Sequence, residues 1–425
     1  MAPRSKLGVG AGVWVAVIII VAIVAASGGY YVGLSQGGTT EAQPTGPTLP
    51  ETIKIGVLLP LSGDLGAVGQ KMLKGAQLAV EQINKAGGIA GRPVELVVGD
   101  TETNPEKAAS EAQRLINVEG VKVIIGAAAS PSTLAVAPIA NDAEVVVISP
   151  SSTSPKISDP ESDPDNFVFR VVGSDSLQGM AMAAIANELG YTTAAIVVIN
   201  NDYGRGLAQV INETFTEMGG QILGVIEYNP AAGDYLTDME QVKAWNPEVV
   251  FFVCYPESGS KLLKDARTVG VEAKWIAAEG IVDPSMFEDP EVAEYMVGMY
   301  GTQPHSPAES MFHQMFVQAH IEMFGEEPGI YADYTYDATM LAALAIAYAG
   351  DYNGTAIRDA LFTVSKFFMG STGPKPFDQY GDVDVPQDYD IWKVVYEDGE
   401  YKFEVVGYWT LGAGGESVIT WTSPP

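Results

Sequence analysis

The feature that most constrains this chain is a rhythm: from Thr52 onward, short apolar runs alternate with amphipathic stretches of helical period. The pattern predicts strands at Ile53–Leu59, Val94–Val98, Val121–Ile125 and Val145–Ser149, with helices over Gly69–Lys85, Pro105–Asn117 and Pro131–Asn141 between them. Strands this apolar need cover on both faces, and strand–helix–strand order provides it in a parallel sheet. A Ser/Thr/Pro-rich passage up to Asp165 lacks any period and reads as a long connection. A second series follows: strand Ala194–Ile199, helix Gly206–Met218, strand Gln221–Tyr228, helix Tyr235–Ala244, strand Val249–Cys254, helix Gly259–Val269 and strand Lys274–Ala278. The expected fold is therefore α/β, with two doubly wound parallel-sheet lobes in tandem, an architecture that receives ligands at the carboxyl ends of its strands. At 425 residues the chain is also longer than one core usually serves. Beyond Val297 the pattern predicts helices Ser310–Phe324 and Tyr331–Ala349, then β-like runs Asp390–Tyr396 and Lys402–Trp409, as if the chain crosses back to the first lobe and ends near the hinge.

Ahead of this body, Arg4 and Lys6 precede an uncharged run from Leu7 to Ala26, about the 20 residues a helix needs to cross a hydrocarbon core. Positive charge before the run and none closely after it predicts a cytoplasmic N-terminus and an exported remainder. The run is longer than a usual signal-peptide core, no cysteine near its end can carry a lipid, and Tyr30 and Tyr31 suit an interfacial belt. Residues 1–34 are thus expected to form an uncleaved membrane anchor, a cleaved signal segment being the alternative, on the outer face of the cytoplasmic membrane. Residues 35–50, rich in Gly, Thr and Pro, are expected to be a flexible linker, with the folded body starting near Glu51.

Charge and cysteine usage narrow the function. Acidic residues outnumber basic ones 53 to 23, for a net charge of −30, and such a surface repels phosphate backbones, so a nucleic-acid partner is excluded. The single cysteine, Cys254, permits no internal disulfide and no cysteine-built metal site, and its apolar context predicts a small buried hydrophobe.

Candidate ligand groups cluster where strands end. Ser130 follows the Val121–Ile125 run and precedes Pro131, so it is expected to cap the next helix, whose free backbone N–H groups at Ser132 and Thr133 and dipole would favour a carboxylate. Ser151, Ser152 and Thr153 offer hydroxyls after the neighbouring strand, although turn chemistry explains them almost as well. Glu279 follows the Lys274–Ala278 run, where a buried carboxylate needs a cation and a substrate ammonium is one candidate. Tyr203 and Tyr255 also follow strands, placed to close over a solute. An anion receiver on one lobe and a cation receiver on the other describe a pocket for a zwitterion, of which an α-amino acid is the simplest.

The residues also carry a resemblance. Ile53–Gly63 (IKIGVLLPLSG), Gly75–Asn84 (GAQLAVEQIN), Gly87-Gly88-Ile89, Gly91–Leu96 (GRPVEL), Val123–Gly126, Ile148–Pro150, Phe169-Arg170, Asp202–Gly206 (DYGRG) and Tyr255–Glu257 together resemble, in order, the leucine/isoleucine/valine-binding protein family of ABC transporters, from about Thr52 to Trp409. The resemblance implies a type I periplasmic-binding fold, two lobes joined by a three-strand hinge, closing on a solute and delivering it to an ABC permease with its ATPase subunits. It implies lobes of 51–172 with 301–372 and of 173–300 with 373–425. It assigns Ser130 and Thr153 to the substrate carboxylate, Thr153 also to the amino group, Glu279 to the ammonium, Tyr203 and Tyr255 to the second-lobe wall, and Tyr331 to a hinge-side aromatic. Val68 is a departure: some members carry tryptophan after the Ser-Gly turn, and Val68 leaves more room for the side chain.

Two rival readings remain in view. An enzyme would need a nucleotide loop, a nucleophile elbow or clustered metal ligands, and none is found, so no cofactor or metal is expected. His313 and His320, on one helix, lie two turns apart, about 10 Å by helical rise, too far for one ion. Ser258–Lys261 matches a Ser-x-x-Lys pattern without its companion motifs. The other rival keeps the fold but makes it a receptor or sensor for short-chain amides, urea or another small polar solute.

Overall fold

The structure is a computed structural model and describes residues 49–425; the expected anchor at 1–34 and most of the linker lie outside the described residues. Five parallel strands, β1 (Ile53–Leu59), β2 (Val94–Asp100), β3 (Val123–Gly126), β4 (Val146–Ser149) and β5 (Val168–Arg170), form one sheet in the order β2-β1-β3-β4-β5. A second sheet is led by β6 (Thr193–Ile199), β7 (Gln221–Tyr228), β8 (Val249–Val253), β9 (Lys274–Ala277) and β10 (Tyr300–Pro304), parallel in the order β7-β6-β8-β9-β10. A short hairpin of β11 (Met369–Gly370) and β12 (Gly373–Pro374) stands apart. The antiparallel run β13 (Tyr389–Glu397), β14 (Glu400–Leu411) and β15 (Ser417–Trp421) then widens the second sheet to eight strands, adding to its β10 edge. The chain therefore ends as part of the second sheet, not at the hinge.

The central strands form because they are apolar throughout and buried on both faces: every side chain of β3, β4 and β8 is buried. Helix starts are fixed by short polar side chains. Asn104 accepts from the Lys107 N–H at 2.9 Å with Pro105 in the first turn, and Asn201 accepts from the Gly204 N–H at 3.0 Å. Helix Ala332–Ala349 packs against helix Gly66–Lys85, whose Gly75 lies against the Ala332 carbonyl where no Cβ fits. This contact brings the later helices back onto the first sheet.

The chain passes between the sheets three times, after β5, after β10 and ahead of β13. Those crossings are tied together. The Tyr389 hydroxyl donates to the Ser174 carbonyl at 3.2 Å, and the His305 N–H to the Asp388 carbonyl at 3.0 Å. Arg170 of β5 is fully buried and grips Asp382 with Nε and Nη2, at 2.5 and 2.8 Å. In each sheet the strand order reverses at one point, between β1 and β3 in the first and between β6 and β8 in the second. Loops leaving those strands diverge and open a crevice, which is where a doubly wound sheet can hold a ligand.

Candidate ligand-binding site

The loops at those two reversal points face one another across a cavity of about 430 Å³ of atom-free space, part of it continuous with solvent. Pro60, Leu65, Val68 and Met72 line it after β1, and Ala128, Ala129, Ser130 and Ser151 after β3 and β4. Tyr203 comes from the loop after β6, Tyr255 from that after β8, Glu279 and Gly280 from that after β9, and Ile330 and Tyr331 from the start of helix Ala332–Ala349. The structure thus brings together Val68, Ser130, Ser151, Tyr203, Tyr255, Glu279 and Tyr331 on one wall or another. Thr153 is the exception: it stands behind the Ser130–Ser151 edge, 1% exposed.

The hydroxyl edge is built differently from the sequence expectation. Ala129, not Ser130, is the N-cap of helix Ser130–Ala143, and Ser130 is its first residue. Its hydroxyl oxygen is used across the loop, accepting from the Thr153 and Ser154 N–H groups at 3.2 and 3.1 Å. The Thr133 N–H, expected to be free, donates to the Ala129 carbonyl at 3.0 Å. Ser149, Ser151 and Ser152 hydroxyls donate to the Ala127 and Ala128 carbonyls at 2.6 to 3.1 Å, so the β3 and β4 loops are laced into one surface. Arg170 braces that surface from beneath, donating to the Thr153 and Ser154 carbonyls at 2.9 and 3.0 Å.

Across the cavity Glu279 opens a single 3₁₀ turn and is 3% exposed. Gln178 Nε2 donates to its Oε2 at 2.5 Å and to Thr302 Oγ1 at 3.0 Å. Among the described residues no lysine, arginine or histidine forms an ion pair with it. Burial raises the Glu279 pKa, opposed by the Gln178 bond and the nearby Tyr203 and Tyr331 hydroxyls. Asp175, the first residue of helix Asp175–Glu188, lies close behind. Burial, then repulsion by Glu279, pushes its carboxyl well above the usual range, with Thr153 tempering the shift. Yet neither Asp175 oxygen, nor Thr153 Oγ1, Tyr203 OH or Tyr331 OH, makes a well-formed hydrogen bond to another protein group.

Aromatic rings complete the walls. Tyr203 and Tyr255 stack at 5.7 Å between centroids and 7° between planes, and the Tyr255 hydroxyl accepts from Asn201 Nδ2 at 3.3 Å. Tyr331 is held at φ +64°, a left-handed conformation rare for a bulky residue and costing on the order of 1–3 kcal/mol, so the surroundings dictate its position.

Sequence reasoning missed Asp175 and Gln178. Their helix is buried on nearly every side, from Ala181 to Ala186 without a break, and so shows no amphipathic period. The surviving signal was local: Ser174 followed by Asp175 is an N-cap and an acidic first turn, and Ser174 accepts from the Ser176 N–H at 3.4 Å.

Two facing doubly wound sheets, three crossings and a polar-ended crevice define a two-lobed solute-binding protein of type I architecture. The sequence profile of the periplasmic binding protein family matches residues 52–399, and the chain belongs to that family. It is 28% identical over 334 residues to the leucine-, isoleucine-, valine-, threonine- and alanine-binding protein of Pseudomonas aeruginosa, covering 78% of this chain and 87% of that one. The crystal structure of the branched-chain amino acid transporter substrate binding protein LivJ from Streptococcus pneumoniae, in complex with isoleucine, superposes with a TM-score of 0.73 at 28% identity, covering 84% and 99% of the two chains. A Rhodopseudomonas palustris solute binding protein in complex with 3,4-dihydroxybenzoic acid shares the fold, with a TM-score of 0.71 at 23% identity and coverage of 84% and 97%.

Proposed function

We propose that the chain is an extracytoplasmic receptor that closes on a free α-amino acid with an aliphatic side chain and hands it to an ABC permease and its ATPase subunits. The carrying observation is Glu279, a buried carboxylate without a cationic partner among the described residues, set across one cavity from the Ser130–Ser151 hydroxyl edge. A buried charge left unpaired is costly, and a ligand ammonium is the partner this geometry admits. The ligand carboxylate then lies at Ser130, whose hydroxyl oxygen accepts two N–H groups and keeps its own proton to donate, beside Ser151 and with Thr153 behind that edge. Pro60, Leu65, Val68, Met72 and Ile330 offer an apolar wall for the side chain, and Tyr203, Tyr255 and Tyr331 enclose it. The leucine- and isoleucine-related names of the relatives support this reading, while the dihydroxybenzoic acid complex supplies its main competitor, a carboxylate without an amine.

The working lobes are the expected segments with their edges set by the sheets, β10 going whole to the second lobe and the β11–β12 hairpin and Asp382 to the first, and they move about the three crossings. Residues 1–34 hold the receptor at the outer face of the cytoplasmic membrane. The test is a thermal-shift panel of L-amino acids, benzoates, short amides and urea, followed by calorimetry. Aliphatic amino acids are expected to stabilise selectively, by about 2.7 kcal/mol at a hundredfold excess over Kd. Stabilisation by benzoates alone, or by amides and urea alone as a small-solute sensor requires, overturns the reading.

A further inference from the structure

We propose that Asp64 is a closure residue: without lining the cavity, it fastens the loop after β1 to the N-terminus of helix Pro256–Val269 on the other sheet and so prolongs the life of the closed, ligand-bound form. The Ser258 N–H donates to Asp64 Oδ1 at 2.7 Å and the Ser258 hydroxyl to Oδ2 at 2.5 Å. Ser258 is the third residue of its helix, and Tyr255 at the N-cap makes no side-chain cap bond, so the helix start has free N–H donors. A carboxylate from the opposite sheet takes the place that a local Asp or Ser normally fills. The Tyr228 hydroxyl, 2.9 Å from Ser258 Oγ, donates to it and so leaves the Ser258 proton directed at Asp64.

The loop that presents Asp64 is fixed to its own sheet. Asp100 accepts from the Leu61 N–H at 2.8 Å and the Ser62 hydroxyl at 2.7 Å, and Thr103 Oγ1 accepts from the Leu65 N–H at 3.0 Å. Gly63 turns the chain at φ +77°, where any side chain would meet the Glu102 carbonyl. Asp64 and Ser258 are therefore carried by separate rigid bodies, and their bond forms only when those bodies meet. A second clasp repeats the arrangement: Lys71 Nζ lies 2.6 Å from Oδ2 of the buried Asp283. None of the four lines the cavity, yet each is close in sequence to a residue that does: Leu65, Tyr255, Met72 and Glu279. Opening the crevice breaks both clasps before the solute can leave.

The inference rests on the proposed reading only for its probe, L-isoleucine. The experiment is a double-mutant cycle on the full chain in detergent, with Asp64→Ala, Ser258→Ala and the double variant, reading isoleucine association and dissociation rates and hydrogen exchange at the residue 258 amide. The expected result is dissociation about tenfold faster in Asp64→Ala and a smaller rise in Ser258→Ala, which keeps the residue 258 N–H, with association little changed and a double variant no faster than Asp64→Ala. Selectivity among amino acids stays as in the parent, and the amide exchanges faster in Asp64→Ala. Additive effects, or an unchanged dissociation rate, overturn the proposal. Asp64→Asn, which keeps size and one acceptor, serves if the alanine variant fails to fold, with a smaller rise expected and no rise overturning it. If the parent binds no amino acid, the functional reading fails instead, and equal exchange at residue 258 in parent and variant still overturns the clasp.

Discussion

Gln178 and Glu279 are joined across 101 residues of sequence by a 2.5 Å bond from amide to carboxylate, and both side chains are buried. The bond aims a carboxylate that forms no ion pair with a cation among the described residues. Replacing Gln178 with Leu removes the aim but keeps the charge. Isoleucine affinity should fall about tenfold while the apolar wall, and hence the order of preference among aliphatic side chains, is unchanged; calorimetry on the variant checks both.

Asp175 and Glu279 make binding sensitive to protons. Both carboxyls have folded pKa values raised above their ordinary 3.8 and 4.5, chiefly by burial, so the folded ligand-free protein holds more protons than the unfolded chain between those values and the raised ones. Its stability therefore falls as pH rises through the raised values, the opposite of a salt-bridged carboxylate. An ammonium beside the pair favours the ionised form. Isoleucine binding just above pH 4.5 should release protons, seen as a buffer-dependent calorimetric enthalpy, and Asp175→Asn should reduce that release.

Ser130 organises the edge more than it caps a helix. Ser130→Ala leaves the Thr153 and Ser154 N–H groups buried without their acceptor. A stability loss of about 2–3 kcal/mol is expected in urea unfolding, together with weaker binding. Ser151→Ala, whose hydroxyl only donates to the Ala128 carbonyl, should cost less.

Arg170 joins β5 to the crossing ahead of β13. Its guanidinium meets Asp382, the Ser158 hydroxyl and two loop carbonyls at once. Arg170→Met strands Asp382 and should cost about 3–5 kcal/mol in the same unfolding experiment. Lysine should rescue little, because one ammonium cannot reproduce the fork.

Much of the frame was legible because the chain obeys local rules where it is repetitive. Strands β1, β6 and β8 are apolar runs of strand length, and Asn104 and Pro105 announce a helix before any tertiary contact is known. The carboxyl ends of the strands then follow from element order, which is why Ser130, Ser151, Tyr203, Tyr255 and Glu279 could be picked out as strand-end residues, and the structure sets them around one cavity. What was illegible depends on partners distant in sequence. β10 contains Gly301 and Pro304 and becomes a strand through pairing with β9 and β13. The helix carrying Asp175 and Gln178 is too buried to be amphipathic. Ser130 looked like a cap because Pro131 follows it, yet its oxygen is claimed by amides of the neighbouring loop.

The central claim is that the cavity requires an ammonium and that Glu279 is the reason. The most direct measurement compares L-leucine with 4-methylpentanoate, which keeps the carboxylate and the side chain but lacks the amine, on the parent protein and on Glu279→Gln. The account predicts that the parent binds leucine at least a hundredfold more tightly, about 2.7 kcal/mol or more, and that Glu279→Gln loses most of this preference. Equal affinity for the two ligands in the parent, or an undiminished preference in Glu279→Gln, would contradict it.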